Sequence, residues 1–411
     1  MSGILTGMRV VEGSAFVAVP LAGLTLAQMG AEVIRFDRIG GGLDATRWPI
    51  APNGESLFWQ GLNKGKKSIA VDMKSPEGRA LITRIITAPG KDAGHFITNL
   101  RVRGWMDHET LSRYRPDLCM VTLTGDRHGR PQVDYTVNPA LGVPHMTGPE
   151  RGDPVAHALP AWDIAAGNMV VSALLAAERH RLRSGAGQEI EFSLKDAAAA
   201  TLGHLGMIAD AAITGRARPR VGNALYGAYG QDFLCRDGAR VMVIGLTDRQ
   251  WQGIVRATGA EDMIGALEAA TGADLSDEGN RWRLRDRITV LLAPWFAARP
   301  RAEVARLLEA QGVTWAPCRS LPEALAEDPD LGPENPMFHI HDQPGVGRYP
   351  MPGTPFAFSG FDRVAAVPAP ELGAHTEEIL SEVVGCDSTE IAGLFDKGIV
   401  RQAGRPARVA A

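Results

Sequence analysis

Apolar residues along the chain gather into short continuous runs separated by stretches of helical spacing. The runs at 8–11, 32–36, 68–71, 95–98 and 119–123 predict strands. Between the first two, 20–29 carries a helical pattern that closes on Gly30. Ser75 and Pro76 open another helix over 76–86, with proline at the first position, where its missing N–H costs nothing. Strands alternating with helices predict a parallel sheet covered on both faces, with ligands bound at the carboxyl ends of its strands. Glu12-Gly13, Asn99 and Thr124-Gly125 lie at such ends.

The stretch 159–198 has the clearest organisation. Pro160 and Asp163 mark the first turn of a helix, and Ile164, Met169, Val171, Leu174 and Leu175 follow at helical spacing. Arg179, Arg181 and Arg183 crowd the far end, which suits the negative pole of a helix, and Gly185 and Gly187 stop it. An alternating strand over 188–194 and the start of another helix at 195–200 come next. After Ile213 the texture changes. Residues 215–230 read as a linker, 231–249 as a hairpin turning at Asp237-Gly238, and 251–258, 282–296 and 301–311 as helices. The expected organisation is therefore a large domain begun by 1–224, a small α+β domain over 225–330, and a return over 331–411. That return is Pro- and Gly-rich to 355, ends in a helix over 376–384, and completes the large domain.

Composition narrows the class. The 411 residues are 45% hydrophobic and 22% charged with a net charge of −4, so nothing points to nucleic acid. Cys119, Cys235, Cys318 and Cys386 form no CxxC pair. The first residues lack the basic start and apolar core of a signal peptide, and no apolar run is long enough to cross a membrane. A cytoplasmic protein is expected. No HExxH is present, and no acid or cysteine joins His339 and His341 at ligand spacing, so no metal is expected. Ser193 lacks the glycines of a hydrolase elbow. The turn Glu12-Gly13-Ser14-Ala15-Phe16-Val17 is not a Gly-x-Gly-x-x-Gly, which argues against a nicotinamide site.

Two loops keep open readings. Gly40-Gly41-Gly42 is a flexible turn or a phosphate cradle. Residues 61–68 fall one residue short of a P-loop and lead into a strand, so Lys64, Lys66 and Lys67 are a solvated basic turn or point charges for phosphates. Asp163 is likewise either a capping acid or a nucleophile held ionised by the helix N-terminus.

The order of segments supplies a further reading. Val17-Ala18-Val19-Pro20 leads into a helix and Gly30-Ala31-Glu32-Val33-Ile34; Gly42-Leu43-Asp44 and Arg47 follow, then Asn63-x-x-Lys66-Lys67-Ser68-Ile69-Ala70-Val71-Asp72, Pro76-Glu77-Gly78-Arg79 and Thr98-Asn99-Leu100. After Asp163 come Gly187-Gln188, Ser193-Leu194-x-Asp196 and Leu372-Gly373-x-His375-Thr376-Glu377-Glu378. This order resembles the class III CoA-transferases, the formyl-CoA and carnitine-CoA transferase group, over nearly the whole chain. The resemblance implies an α/β fold: a Rossmann-like large domain of parallel strands and helices built from both chain ends, a smaller α+β domain, and an interlocked homodimer. It implies an acyl-CoA substrate and no tightly bound cofactor. By residue-wise match, Asp163 is the catalytic aspartate, and Val17, Ala18, Arg38, Asn99 and Arg103 line the CoA site.

Two departures refine this expectation. The racemases of the same fold use a His-Asp pair where this chain reads Val133-Asp134, and valine carries no proton. The segment before the small domain reads Gly222-Asn223-Ala224-Leu225-Tyr226-Gly227 in place of a Pro-rich one. That segment, with Gly13-Ser14-Ala15-Phe16, Ile39 to Asp44, Asp134 to Pro139, Gly203-His204-Leu205-Gly206-Met207 and Thr314-Trp315-Ala316-Pro317, resembles family members that move CoA between the two carboxyl groups of mesaconate. The implied function is intramolecular CoA transfer through aspartyl anhydride and aspartyl-CoA thioester intermediates. The alternatives are intermolecular transfer between dicarboxylic acids and a non-catalytic CoA-binding protein. Arg47 is the candidate counter-charge for the diacid, against an ion pair with Asp44.

Overall fold

A computed structural model describes residues 3–404; positions 405–411, the end of the return segment, lie outside the described residues. The chain forms two compact units, one of Met1–Leu141, Ala158–Asp210 and Pro329–Ala411, the other of Gly142–His157 and Ala211–Asp328.

The first unit is built on β1 (Arg9–Gly13), α1 (Ala18–Gln28), β2 (Glu32–Arg38), α2 (Leu57–Asn63), β3 (Lys67–Val71), α3 (Pro76–Ile86), β4 (His95–Thr98), α4 (His108–Leu111), β5 (Cys119–Thr124), α5 (Asp134–Ala140), α6 (Ala161–Ser184), β6 (Gln188–Ser193) and α7 (Leu194–His204). Six strands lie parallel in the order β3-β2-β1-β4-β5-β6. Each run of β-branched residues became a strand because both its faces are covered. Val11, Ile34, Phe36, Ile69, Phe96 and Met120 pack against Leu81, Ile82, Ile85 and Ile86 of α3. Val10 and Val33 alternate with this set, point to the opposite face and are also buried. Chain order runs outward from β1 in both directions, so the carboxyl ends of β1 and β4 flank a topological switch point.

Helix α6 begins after Pro160 and ends where Gly185 takes φ +75°. It lies against α1 so closely that a Cβ at Gly167 would stand 2.6 Å from the Ala18 carbonyl oxygen, which excludes any side chain there. The end of the chain supplies an antiparallel edge strand beside β3 and the apolar residues Ile379, Leu380, Ile391 and Leu394, which close the α3 cluster. The sequence predicted one helix over 376–384. The structure has a single turn, Thr376–Glu378, running into a π turn over Ile379–Val383, which buries Ile379, Leu380 and Val383 together.

In the second unit, Tyr229–Leu234, Arg240–Gly245 and Thr314–Cys318 make an antiparallel sheet. Phe233, Val241, Trp251, Ile288, Phe296 and Leu308 form its core. The helix predicted over 282–296 is broken at Leu284 into Glu278–Arg283 and Arg285–Ala297. Arg281, 1% exposed, donates to the carbonyls of Leu275, Ser276 and Leu246 and so fixes the first piece independently. No single helix among the described residues is long and apolar enough to cross a membrane.

Candidate active site

The loops after β1, β4 and β5 and the first turn of α6 surround a cavity of about 340 Å³ at the switch point, lined among others by Phe16, Val17, Asn99, Arg101, Arg130 and Asp163. The loop after β5 is shaped by the buried Asp126, which accepts from the backbone N–H groups of His128 and Arg130 and from the Arg130 guanidinium.

Asp163 is the third residue of α6 but does not cap it. Oδ2 of Asp134, at the start of α5, accepts the N–H of Trp162 at 2.7 Å and of Asp163 at 3.3 Å. The cap thus comes from a residue far back in the chain, and the Asp163 carboxylate is left to face the cavity. Burial, with the like charge of Asp134, pushes Asp163 up to about 7, while Arg47 pulls it down. The helix N-terminus was expected to hold this group ionised; burial and Asp134 outweigh it. A carboxylate with a raised value is the more basic one, and at neutral pH a large share of it is still ionised.

Arg47 does not pair with Asp44. Asp44 is buried against Arg35, Nη2 to Oδ2 at 2.8 Å. The Arg47 guanidinium instead lies between the rings of Phe16, at 5.6 Å, and Phe58, at 5.2 Å. Val17 and Asn99 line the cavity with Asp163. The Asn99 side chain clamps Ala15, accepting its N–H at 2.9 Å and donating to its carbonyl at 2.7 Å. Ala18 is buried behind the cavity against α6. Arg38 ends β2 on the surface and donates to the Gly41 carbonyl. Arg103 is exposed in a separate groove with Arg101, Met106 and Glu189.

The basic turn is not a phosphate cradle. Lys66, 3% exposed, places Nζ 2.8 Å from Glu12 Oε2 and donates to the Pro20 carbonyl and Asn63. Burial pushes it down to about 8 although Glu12 opposes this. Lys64 is also buried and also pushed down to about 8, and Lys67 pairs with Glu32 and Glu378 at 2.6 Å each. Glycines 40 and 41 take φ of +86° and +81° in a tight turn. The sequence reading did not include the Asp134 cap, the Phe16–Arg47–Phe58 stack or the cavity-lining Arg101 and Arg130. The nearest signal in the sequence is Asp134 itself, which stands beside Val133 and opens the segment Asp134 to Pro139. His339 and His341 stack with ring centroids 5.9 Å apart, and no group of three or more His, Cys, Asp or Glu among the described residues has a metal-binding arrangement.

Comparison with known proteins identifies the family. The family described as CoA-transferase family III matches residues 5–376. The chain is 56% identical over 402 residues to 2-methylfumaryl-CoA isomerase of Chloroflexus aurantiacus, covering 97% of this chain and 98% of that one. It is 28% identical to succinyl-CoA:glutarate CoA-transferase of Mus musculus, covering 97% and 90%. Among solved structures, a CAIB/BAIF family protein from Brucella suis superposes with a TM-score of 0.75 at 26% identity, over 93% of this chain and all of that one. With one match running from residue 5 to residue 376, through the Asp163 helix, the chain belongs to CoA-transferase family III.

Proposed function

We propose that the chain is a 2-methylfumaryl-CoA isomerase, which moves CoA from the C1 to the C4 carboxyl group of mesaconate within one bound molecule. The observation that carries the reading is the 56% identity, end to end, to a protein of that name. The half-buried carboxylate of Asp163 in its cavity, within the field of the Arg47 guanidinium, supplies the chemistry.

An oxygen of the Asp163 carboxylate attacks the thioester carbonyl carbon. The C–S bond breaks, and CoA leaves as the thiolate from an aspartyl–mesaconyl anhydride. The thiolate then attacks the aspartyl carbonyl, which forms the Asp163–CoA thioester and frees mesaconate as the dianion. The diacid turns within the cavity, and its C4 carboxylate attacks the enzyme thioester. CoA thiolate leaves again, attacks C4 of the new anhydride and regenerates the Asp163 carboxylate. Both intermediates hydrolyse in water, so enclosure of the cavity matters as much as the nucleophile. Arg47 is the counter-charge that retains the dianion. Backbone N–H groups at the start of α6 stabilise the oxyanions that develop at each addition. Val17 and Asn99, with Ala18 packed behind them, border the thioester arm, and the exposed Arg38 at the end of β2 and Arg103 beyond β4 take the CoA phosphates. CoA is substrate here; the reaction as written needs no other group.

Two interlocked protomers would complete the assembly. The helix Met207–Thr214 supports this, because it is apolar yet has no buried residue, with Ile213 84% exposed. Four free cysteines suit a reducing cytoplasm.

The test supplies the C1 thioester with an excess of carbon-labelled free mesaconate. Unlabelled C4 thioester means that the acid never leaves. Label in the product would replace the isomerase by an intermolecular transferase, the activity named for the mouse relative.

A further inference from the structure

Phe16 is the one non-glycine residue among those described with a positive φ, +66°. A bulky side chain is strained in that region, and such a conformation persists only where its surroundings over-determine it. Here they do. Thr98 Oγ1 donates to the Gly13 carbonyl at 2.6 Å, Arg35 Nη2 to the Ser14 carbonyl at 3.3 Å, and Asn99 holds both backbone groups of Ala15. Three successive residues are each gripped by a side chain from β2 or the end of β4, and α1 begins just beyond.

What this grip achieves is the placement of one ring. Phe16 lines the cavity that holds Asp163 and lies beneath the Arg47 guanidinium, with Phe58 on another side. The Arg35 guanidinium that holds Ser14 also pairs with Asp44, and the Asp44 carbonyl accepts the Arg47 N–H at 3.3 Å. One buried cation therefore ties together the two loops that carry Phe16 and Arg47. Without flanking rings, the long exposed Arg47 side chain would sample many rotamers.

We infer that Phe16 is a positioning residue: its strained backbone turns the ring beneath Arg47 and so holds that cation beside Asp163 as the counter-charge of the diacid. This rests on the reading of Asp163 as nucleophile and Arg47 as counter-charge. The charged groups that act on Asp163 are Asp134 from α5 and Arg47, and Arg101 and Arg130 line the same cavity.

The test compares Phe16→Gly, Phe16→Tyr, Arg47→Met and the double variant Phe16→Gly/Arg47→Met, reading kcat/KM against pH for the C1 thioester. Glycine accepts φ +66° without strain, so Phe16→Gly removes the ring and leaves the turn. Phe16→Asn, which also tolerates this region, is the second variant should the glycine form not fold. Phe16→Gly is expected to lower kcat/KM by roughly two- to fivefold, the scale of an exposed cation–π contact. Its acid limb is expected to move to higher pH, in the same direction as that of Arg47→Met. Phe16→Tyr keeps the ring and is expected to recover most of the loss, and the double variant should be no worse than Arg47→Met alone. Additive losses, a tyrosine form as impaired as the glycine form, or an unmoved acid limb in Phe16→Gly overturns the inference while Arg47 keeps its role. An Arg47→Met enzyme with unchanged rate and profile overturns the counter-charge reading and the inference with it.

Discussion

Replacing Asp163 by asparagine removes a charge that the fold does not favour. An ordinary aspartate titrates at 3.8, and burial with Asp134 pushes Asp163 up to about 7. Between those values the folded chain holds a proton that the unfolded chain has released. Wild-type stability therefore falls as pH rises from about 4 to about 7, and the loss is complete above that window. The gap corresponds to at most about 4 kcal/mol at about 1.4 kcal/mol per pH unit, and the carboxylate's opening to the cavity lowers this to about 1–2 kcal/mol by solvent screening. Asparagine has the same shape and does not ionise. Asp163→Asn should therefore be more stable than wild type by that amount at pH 8, match it at pH 4 and below, and have no measurable isomerase activity. Urea denaturation of both proteins across this pH range measures the gap directly. A gap that does not change with pH, or a variant less stable than wild type at pH 8, would refute the account of how Asp163 is held.

Asp134→Asn keeps an acceptor for the Trp162 N–H but removes the like charge beside Asp163. The acid limb of kcat/KM should move to lower pH, with stability kept within about 1 kcal/mol in a thermal melt. Glu12→Gln leaves Lys66 and Arg35 short of a buried counter-charge, and denaturant unfolding should register a loss of about 3–5 kcal/mol. Gly167→Ala puts a methyl group 2.6 Å from the Ala18 carbonyl, forces α1 and α6 apart and should cost about 1–3 kcal/mol by the same measurement.

The alternation of strands and helices in the large unit was legible because continuous β-branched runs and proline-led helices are local signals. The strand at His95–Thr98 and the helix at Pro76–Ile86 lie where the pattern puts them. Helix α6 was legible from Pro160 at one end and Gly185 at the other. Features that depend on distant residues were not legible. Three lysines in four positions look solvated, yet Glu12 and Asn63 draw Lys66 into the interior. An acid in the first turn looks like a cap, yet Asp134 provides the cap from across the fold. Phe16 gives no local sign of a left-handed backbone, since the side chains that hold Gly13 to Ala15 come from β2 and the end of β4. The break at Leu284 depends on carbonyls that Arg281 reaches outside its own helix.

The central claim is that the Asp163 carboxylate itself makes and breaks the acyl bonds. It is tested by supplying the C1 thioester with heavy oxygen in its free C4 carboxylate and analysing the Asp163 peptide by mass spectrometry. Attack of C4 on the enzyme thioester places a heavy oxygen in the bridge of the second anhydride, and that atom stays with aspartate when CoA departs to C4. The account predicts that Asp163 gains heavy oxygen as isomerisation proceeds, and that in later turnovers heavy oxygen passes from Asp163 to the C1 carboxylate of the product. Isomerisation with no label in that peptide would contradict it.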